Sequence, residues 1–173
     1  MNQRILQWVM VVVIVILASV TIISQIYKSS SPIQEKTYAA NFQLKTLDGR
    51  DLSLSDYRGK GVVLNFWGTF CKPCRDEMPA LQKQYLTYKD KGLVIIGVNA
   101  SEPQKTVSAY VKELGIEFPN VLDPGLKVAD SYQANALPHS VFIKPDGQIS
   151  HINLGQMDEK TIETYIKPIL PNQ

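Results

Sequence analysis

The 173-residue chain contains two cysteines, and they stand together as Cys71-Lys72-Pro73-Cys74. Thiols at i and i+3 in a first helical turn lie close enough to close a disulfide. The unpaired N–H groups of that turn, with its positive dipole end, favour a thiolate on the first sulfur. Thiol-disulfide exchange is therefore the chemistry the pair suggests. A purely structural bridge would close so short a loop that it adds little stability, and Pro73 stands where a first helical turn tolerates proline. Three residues past Cys74, Glu77 falls on a neighbouring helix face. A glutamate there is ordinarily a solvated residue stabilised by the helix dipole, but it is also a candidate proton carrier for the thiols.

Metal chemistry is the other class the residues bring up. A zinc site needs four ligands, against two thiols and the remote His139 and His151. A soft ion such as Cu(I) would need only Cys71, Cys74 and His139. His139 otherwise suits a surface residue at a strand start, and no role is assigned to His151. Arg75 follows Cys74, so the pair is not a haem-attachment motif.

The elements that must position this pair are preceded by an appendage. Ile5 to Tyr27 is a 23-residue stretch without charge, flanked by Arg4 and Lys28. As a helix it would span roughly 34 Å, enough for a hydrocarbon core of about 30 Å. A cleavable signal peptide fits less well, because Ala18-Ser19-Val20 lies inside the apolar run. Trp8 and Tyr27 stand near the ends, as interfacial residues do. The expected organisation is an uncleaved membrane anchor over residues 1–28, a polar linker over 29–38 containing Ser29-Ser30-Ser31-Pro32, and one domain over 39–173. Eighteen Lys+Arg against 16 Asp+Glu leave a net charge of +2, which suggests no polyanionic partner and argues against nucleic-acid binding.

Within the domain, Phe42 and Leu44 alternate with polar residues, and Asp48-Gly49 offers a turn before Leu52 and Leu54, predicting a hairpin. Ser55-Asp56-Tyr57 predicts a short helical turn. The nearly continuous apolar runs 62–67 and 93–98 predict strands buried on both faces. Met78, Leu81, Tyr85 and Tyr88 place a helix directly after the cysteines, with Pro79 expected to kink it. Val107, Tyr110, Val111 and Leu114 make a second helix ending at Gly115. Strand, helix, strand, helix implies a parallel sheet. A short strand over 118–122, a helix over 126–132, a hairpin through Pro145-Asp146-Gly147 and a closing helix over 161–170 complete the domain.

The run from Val63 through Trp67-Gly68-Thr69-Phe70 and both cysteines to Pro79, with Leu137-Pro138 some 64 residues past Cys74, resembles the thioredoxin superfamily. More narrowly it looks like the membrane-tethered ResA/TlpA-like thiol-disulfide oxidoreductases of bacteria that serve cytochrome c maturation. The resemblance covers about residue 39 to the C-terminus. It implies an α/β thioredoxin-like fold with an N-terminal β-hairpin and a helix-containing insertion before a cis Pro138, preceded here by one transmembrane helix. It also implies that Cys71 is the exposed nucleophile and Cys74 the buried resolving thiol, with Trp67 and Pro73 supporting the site and Leu137 pairing with an extended substrate segment.

Three departures accompany the resemblance. Asn65 stands where thioredoxin carries a buried aspartate and cannot exchange protons, so Glu77, matching the glutamate of the ResA-like group, becomes the proton manager. Phe70 replaces a second tryptophan. Lys72, where relatives often have an acid, should favour the Cys71 thiolate and make the couple more oxidising.

The implied activity is reduction of disulfides in partner proteins, such as apocytochrome c, on the extracytoplasmic side of a bacterial membrane. A membrane thiol-disulfide carrier would be the electron donor, and no cofactor is expected. Two alternatives share the fold: a thiol peroxidase, although Thr69 stands two residues before Cys71 rather than three, and a copper chaperone, although those space their cysteines one residue wider.

Overall fold

The computed structural model describes residues 3–28 and 35–171, and the side chains at 5–6 and 23–28 are outside the described set. The chain divides into two compact units, Met1–Pro32 and Ile33–Gln173. The first is helix α1 (Gln3–Lys28). Its described apolar side chains, from Trp8 through Leu17 and at Val20 and Ile22, are all exposed. Among the described residues no helix is long and apolar enough to cross a membrane. The helix is 26 residues long, but the stretch with described side chains stops short of the roughly 20 residues a span needs. Most of the expected linker, including Ser29-Ser30-Ser31-Pro32, lies outside the described residues. Its last residues are held in place: Lys36 N–H donates to Ile149 O at 2.8 Å and Ile149 N–H to Thr37 O at 2.8 Å.

The second unit is built on a seven-stranded sheet of order β2-β1-β5-β4-β3-β6-β7. The hairpin β1 (Gln43–Thr46) and β2 (Asp51–Ser53) turns at Gly49, whose φ of 85° is open to glycine. The expected helical turn forms over Leu54–Tyr57. Central strands β3 (Gly61–Trp67) and β4 (Leu93–Asn99) are buried at every position, as their apolar runs require.

The sheet is parallel only across β3, β4 and β5 (Asn120–Leu122). β1 joins antiparallel to β5, and β6 (His139–Ile143) antiparallel to β3. The parallel arrangement expected of the strand–helix–strand–helix run holds across these three strands, and the expected hairpin β1–β2 is antiparallel as its turn requires; periodicity leaves the two antiparallel joins, to β5 and to β3, unassigned. There the connections are a hairpin and a long return rather than a helical crossover. β7 (Ile149–Leu154) closes the far edge.

Helix α2 (Lys72–Tyr88) runs through Pro79 as one assigned helix. With α3 (Gln104–Glu113) and α5 (Glu159–Ile166) it covers one face, where Met78, Leu81, Val107, Ile162 and Ile166 are fully buried beneath Val63, Trp67 and Ile95. The other face is covered by Phe42, Leu52 and Leu54 and by α4 (Lys127–Ser131) of the insertion. Two-faced coverage makes β3 a rigid rod whose C-terminal end delivers the cysteines.

Candidate active site

β3 ends at Trp67, whose indole is fully buried and donates Nε1–H to Asn120 Oδ1 at 3.0 Å. Gly68, Thr69 and Phe70 then turn the chain, and Cys71 caps α2 with extended backbone (φ −88°, ψ 104°). The Cys74 N–H points at Cys71 Sγ, 3.2 Å away. That unpaired first-turn donor is the group expected to favour charge on this sulfur. Pro73 sits inside the first turn, where its missing N–H removes no helical bond.

Cys71 and Cys74 are joined as a disulfide, with S–S 2.01 Å and Cα atoms 5.3 Å apart. Cys71 retains 9 % of its surface and Cys74 none. The expected contrast between an exposed and a buried sulfur is therefore narrower, with Cys71 nearly buried, but its order is kept. Lys72 is turned from the sulfurs: its Nζ lies 2.7 Å from Asp76 Oδ2 in an exposed i,i+4 pair. Its charge is shared with a carboxylate, which weakens the effect on Cys71 expected from sequence.

Glu77, one turn after Cys74, is not a solvated helix residue. It is 1 % exposed. Its Oε1 accepts from Asn65 Nδ2 at 2.8 Å, and its Oε2 accepts the backbone N–H of Met157 at 3.1 Å. Burial pushes its carboxyl up to about 7, against the opposing pull of those two donors. Asn65 also donates to Ser140 Oγ at 3.0 Å, while its own Oδ1 is buried without a protein partner. A buried carboxyl near neutrality, bonded to Met157 of the core cluster that holds both cysteines, can take up or release a proton at the pH where thiols exchange.

The Leu137–Pro138 peptide is cis, as the resemblance implies. Leu137 packs against both core clusters, and Pro138 O accepts from Gly155 N–H at 2.9 Å. Beside it lies an apolar cavity of about 300 Å³, lined by Phe66, Phe70, Val98, Ala134 and Leu137 among others. Phe70, next to Cys71 in sequence, stands 68 % exposed at its edge.

His139 is buried at 3 % exposure, with neither ring nitrogen partnered, and its ring meets the Phe66 ring edge-on at 5.8 Å. This overturns the surface placement expected for it: the face of β6 on which His139 lies is covered by the core that includes Phe66, so a strand-start position there is buried. Residues alternate faces along β6, so His139 shares the side of Val141 and Ile143, in the cluster without the sulfurs. Among the described residues no group of three or more His, Cys, Asp or Glu could hold a metal ion. The arrangement gives the copper reading no ligand set. His151, for which no role was expected, has its Nδ1 2.8 Å from Glu35 Oε1 and its ring stacked on Tyr165 at 3.8 Å.

Sequence patterns miss Ser140 and Met157, which complete the surroundings of Asn65 and Glu77. Ser140 is one small residue inside an apolar strand, and Met157 contributes only a backbone N–H. Neither leaves a local signal.

Comparison with known proteins agrees with this geometry. Residues 36–152 match the model of the AhpC/TSA family. The thiol-disulfide oxidoreductase ResA of Halalkalibacterium halodurans is 41 % identical over 151 residues, covering 87 % of this chain and 86 % of that protein. The ResA of Bacillus subtilis is 38 % identical over 153 residues, covering 88 % and 86 %. The crystal structure of the thioredoxin domain of a thiol-disulfide oxidoreductase from Bacteroides vulgatus superposes with a TM-score of 0.68 at 29 % identity, covering 78 % of this chain and 99 % of that one.

Proposed function

The chain belongs to the AhpC/TSA family and to the ResA-like thiol-disulfide oxidoreductases, and from that premise we propose that it reduces disulfides in partner proteins outside the cytoplasm. The carrying observation is the Cys71–Cys74 couple at the head of α2, with its more accessible sulfur at the helix cap and a buried Glu77 close to neutrality one turn on.

In the reduced protein, the Cys71 thiolate attacks one sulfur of the partner disulfide. A bond forms between Cys71 Sγ and that sulfur, and the partner's second sulfur leaves as a thiolate and is protonated. The Cys74 thiolate then attacks Cys71 Sγ, closing the 71–74 disulfide and expelling the partner's first sulfur. Two electrons and two protons pass to the partner, leaving this chain as it stands here, oxidised. Glu77, with Asn65 and Met157 N–H holding its carboxyl in place, accepts the Cys74 proton as that thiol becomes a nucleophile. Leu137 and Pro73 border the surface against which the partner's strand lies, and Trp67 supports it from below.

A membrane thiol-disulfide carrier resupplies the electrons. Apocytochrome c, in the course of cytochrome c maturation, is the proposed partner. The chain stands at the bacterial cell membrane, with the domain on the extracytoplasmic side. The uncharged run from Ile5 to Tyr27, flanked by Arg4 and Lys28, supports this, since 23 residues at about 1.5 Å each would match a bilayer core.

The peroxidase reading draws no support from the site. The Thr69 hydroxyl, which that chemistry would direct at the cysteine, donates to Glu102 instead. The deciding assay incubates the dithiothreitol-reduced chain with insulin and with an oxidised Cys-x-x-Cys-His peptide. Reduction of both, lost in Cys71→Ser, is expected. Reduction that persists in Cys71→Ser, or rapid peroxide consumption by Cys71, would overturn the proposal.

A further inference from the structure

Glu102 lies in the loop after β4, outside every motif that carries the site. Its carboxylate nevertheless faces the loop that ends in Cys71. Thr69 N–H donates to Glu102 Oε2 at 2.7 Å, and the Thr69 hydroxyl donates to Oε1. Asn99 Nδ2 donates to Oε2 at 2.8 Å, and the Glu102 N–H returns a bond to Asn99 Oδ1 at 3.1 Å. One carboxylate thus collects three donors, two from Thr69 in the loop before Cys71 and one from the last residue of β4, an arrangement its four lone-pair directions can satisfy.

The surroundings are built to hold it there. Asn99 is fully buried, and Ala100 N–H continues the ladder onto Trp67 O at 2.9 Å. Ser101, between Asn99 and Glu102, adopts a φ of 59°, a left-handed backbone that a serine rarely takes and that persists only where neighbouring bonds dictate it. Thr69 is two residues before Cys71, whose own N–H is bonded to Gly68 O at 3.1 Å. Fixing Thr69 therefore fixes the entry to the helix cap and the direction of the exposed Phe70 between them.

We propose that Glu102 is a positioning residue for disulfide exchange: it clamps Thr69 so that Cys71 and Phe70 are presented to the partner protein in a set orientation. This rests on the disulfide-exchange reading above, since it concerns how that nucleophile is aimed. Glu102→Leu keeps comparable bulk but offers no acceptor to the three inward donors, so the clamp opens. Thr69→Val removes only the hydroxyl arm, and Thr69→Ser retains it.

The test uses the full-length chain in detergent, with insulin as the disulfide substrate, and measures kcat/KM, the pH profile of Cys71 alkylation in a Cys74→Ala background, and thermal unfolding. Glu102→Leu is expected to lower kcat/KM by about tenfold, the scale of a displaced reacting group, and to move the alkylation midpoint to higher pH as the residue-74 N–H loses its aim at Cys71 Sγ. Thr69→Val should move both in the same direction by less, and Thr69→Ser should restore both. A lowered melting temperature with unchanged rate and profile would overturn the proposal, leaving Glu102 a structural residue only. Should Glu102→Leu fail to fold, an unchanged rate and profile in Thr69→Val would overturn it equally. If the wild-type chain does not reduce insulin, the functional reading fails, and the alkylation profiles still decide the clamp.

Discussion

Asn65 Nδ2 lies 2.8 Å from Glu77 Oε1, joining the middle of β3 to the second turn of α2 beneath the redox disulfide. An amide in this position can donate to the carboxyl but cannot take its proton, so of these two groups only Glu77 can titrate. Glu77→Gln keeps the shape and removes the proton site. The expected outcome is an alkylation profile of the reduced cysteines without the inflection near pH 7 and slower exchange above it, by about 10²-fold at most, the usual reach of general acid–base catalysis. Asn65→Ala, by removing a donor that favours the charged carboxyl, should move that inflection to higher pH. An identical profile in all three proteins would exclude Glu77 from the proton traffic.

The same carboxyl makes stability depend on pH. Its folded value of about 7 stands above the ordinary 4.5, so between those values the folded state holds a proton that the unfolded state releases. Stability must then fall as pH rises from about 4.5 to 7, by up to about 3 kcal/mol once both limits are passed. Urea unfolding of the reduced chain at pH 5 and pH 8 measures this. The Glu77→Gln variant should lose most of the difference, and equal slopes in the two proteins would show that the carboxyl is not held protonated.

His139 acts in the opposite direction. Burial without a partner for either nitrogen lowers its value below the usual 6.5, so the unfolded chain takes up a proton that the folded one refuses. This penalty is absent above about pH 6.5 and grows as pH falls toward the lowered folded value. His139→Leu, matched to the apolar side of β6 and to Phe66, should flatten the acid limb of the stability curve. A variant as acid-sensitive as the wild type would mean that the imidazole reaches solvent.

How far these features were legible follows from where their causes lie. Cys71, Cys74 and Pro73 announce themselves because a helix start and a redox couple are both local, within four residues. β3 and β4 are legible because burial on both faces leaves an uninterrupted apolar run. Glu77 is legible only as a helix residue, since its state depends on the Met157 N–H, 80 residues away in sequence. His139 misleads because exposure at a strand start depends on what covers that face of the sheet, and Phe66 with its core cluster covers it. The antiparallel edges of the sheet escape for a similar reason: periodicity shows that strands exist but not which neighbours they take. Glu102 leaves no signal, because two of its three donors come from Thr69, 33 residues away in sequence.

Gly97 tests the packing beneath the site. It lies on β4 opposite Asn65. A Cβ there would come within 2.1 Å of Asn120 Oδ1 and 2.9 Å of Trp67 Nε1. Gly97→Ala must therefore break the Trp67–Asn120 hydrogen bond or displace β5, at a cost of about 2–4 kcal/mol for overpacking together with a lost buried bond. Denaturant unfolding followed by tryptophan fluorescence reports both the stability and the indole environment. A loss below about 0.5 kcal/mol would show that β5 gives way freely.

The unequal burial of the two sulfurs predicts which of them meets a partner. Cys71 keeps 9 % of its surface and Cys74 none, since Cys74 faces the core with Met78 and Leu81. In Cys74→Ala the first exchange proceeds and the second cannot, so a mixed disulfide through Cys71 should accumulate with an oxidised Cys-x-x-Cys-His peptide and persist on a non-reducing gel. In Cys71→Ala the remaining thiol is out of reach, and neither the adduct nor rapid alkylation should appear. The ratio of alkylation rates between the two single-cysteine proteins should exceed about tenfold, because reactivity follows both access and thiolate fraction and both favour Cys71. Equal trapping by the two variants would mean that the head of α2 opens on reduction far enough to expose Cys74, and the order of attack proposed here would have to be abandoned.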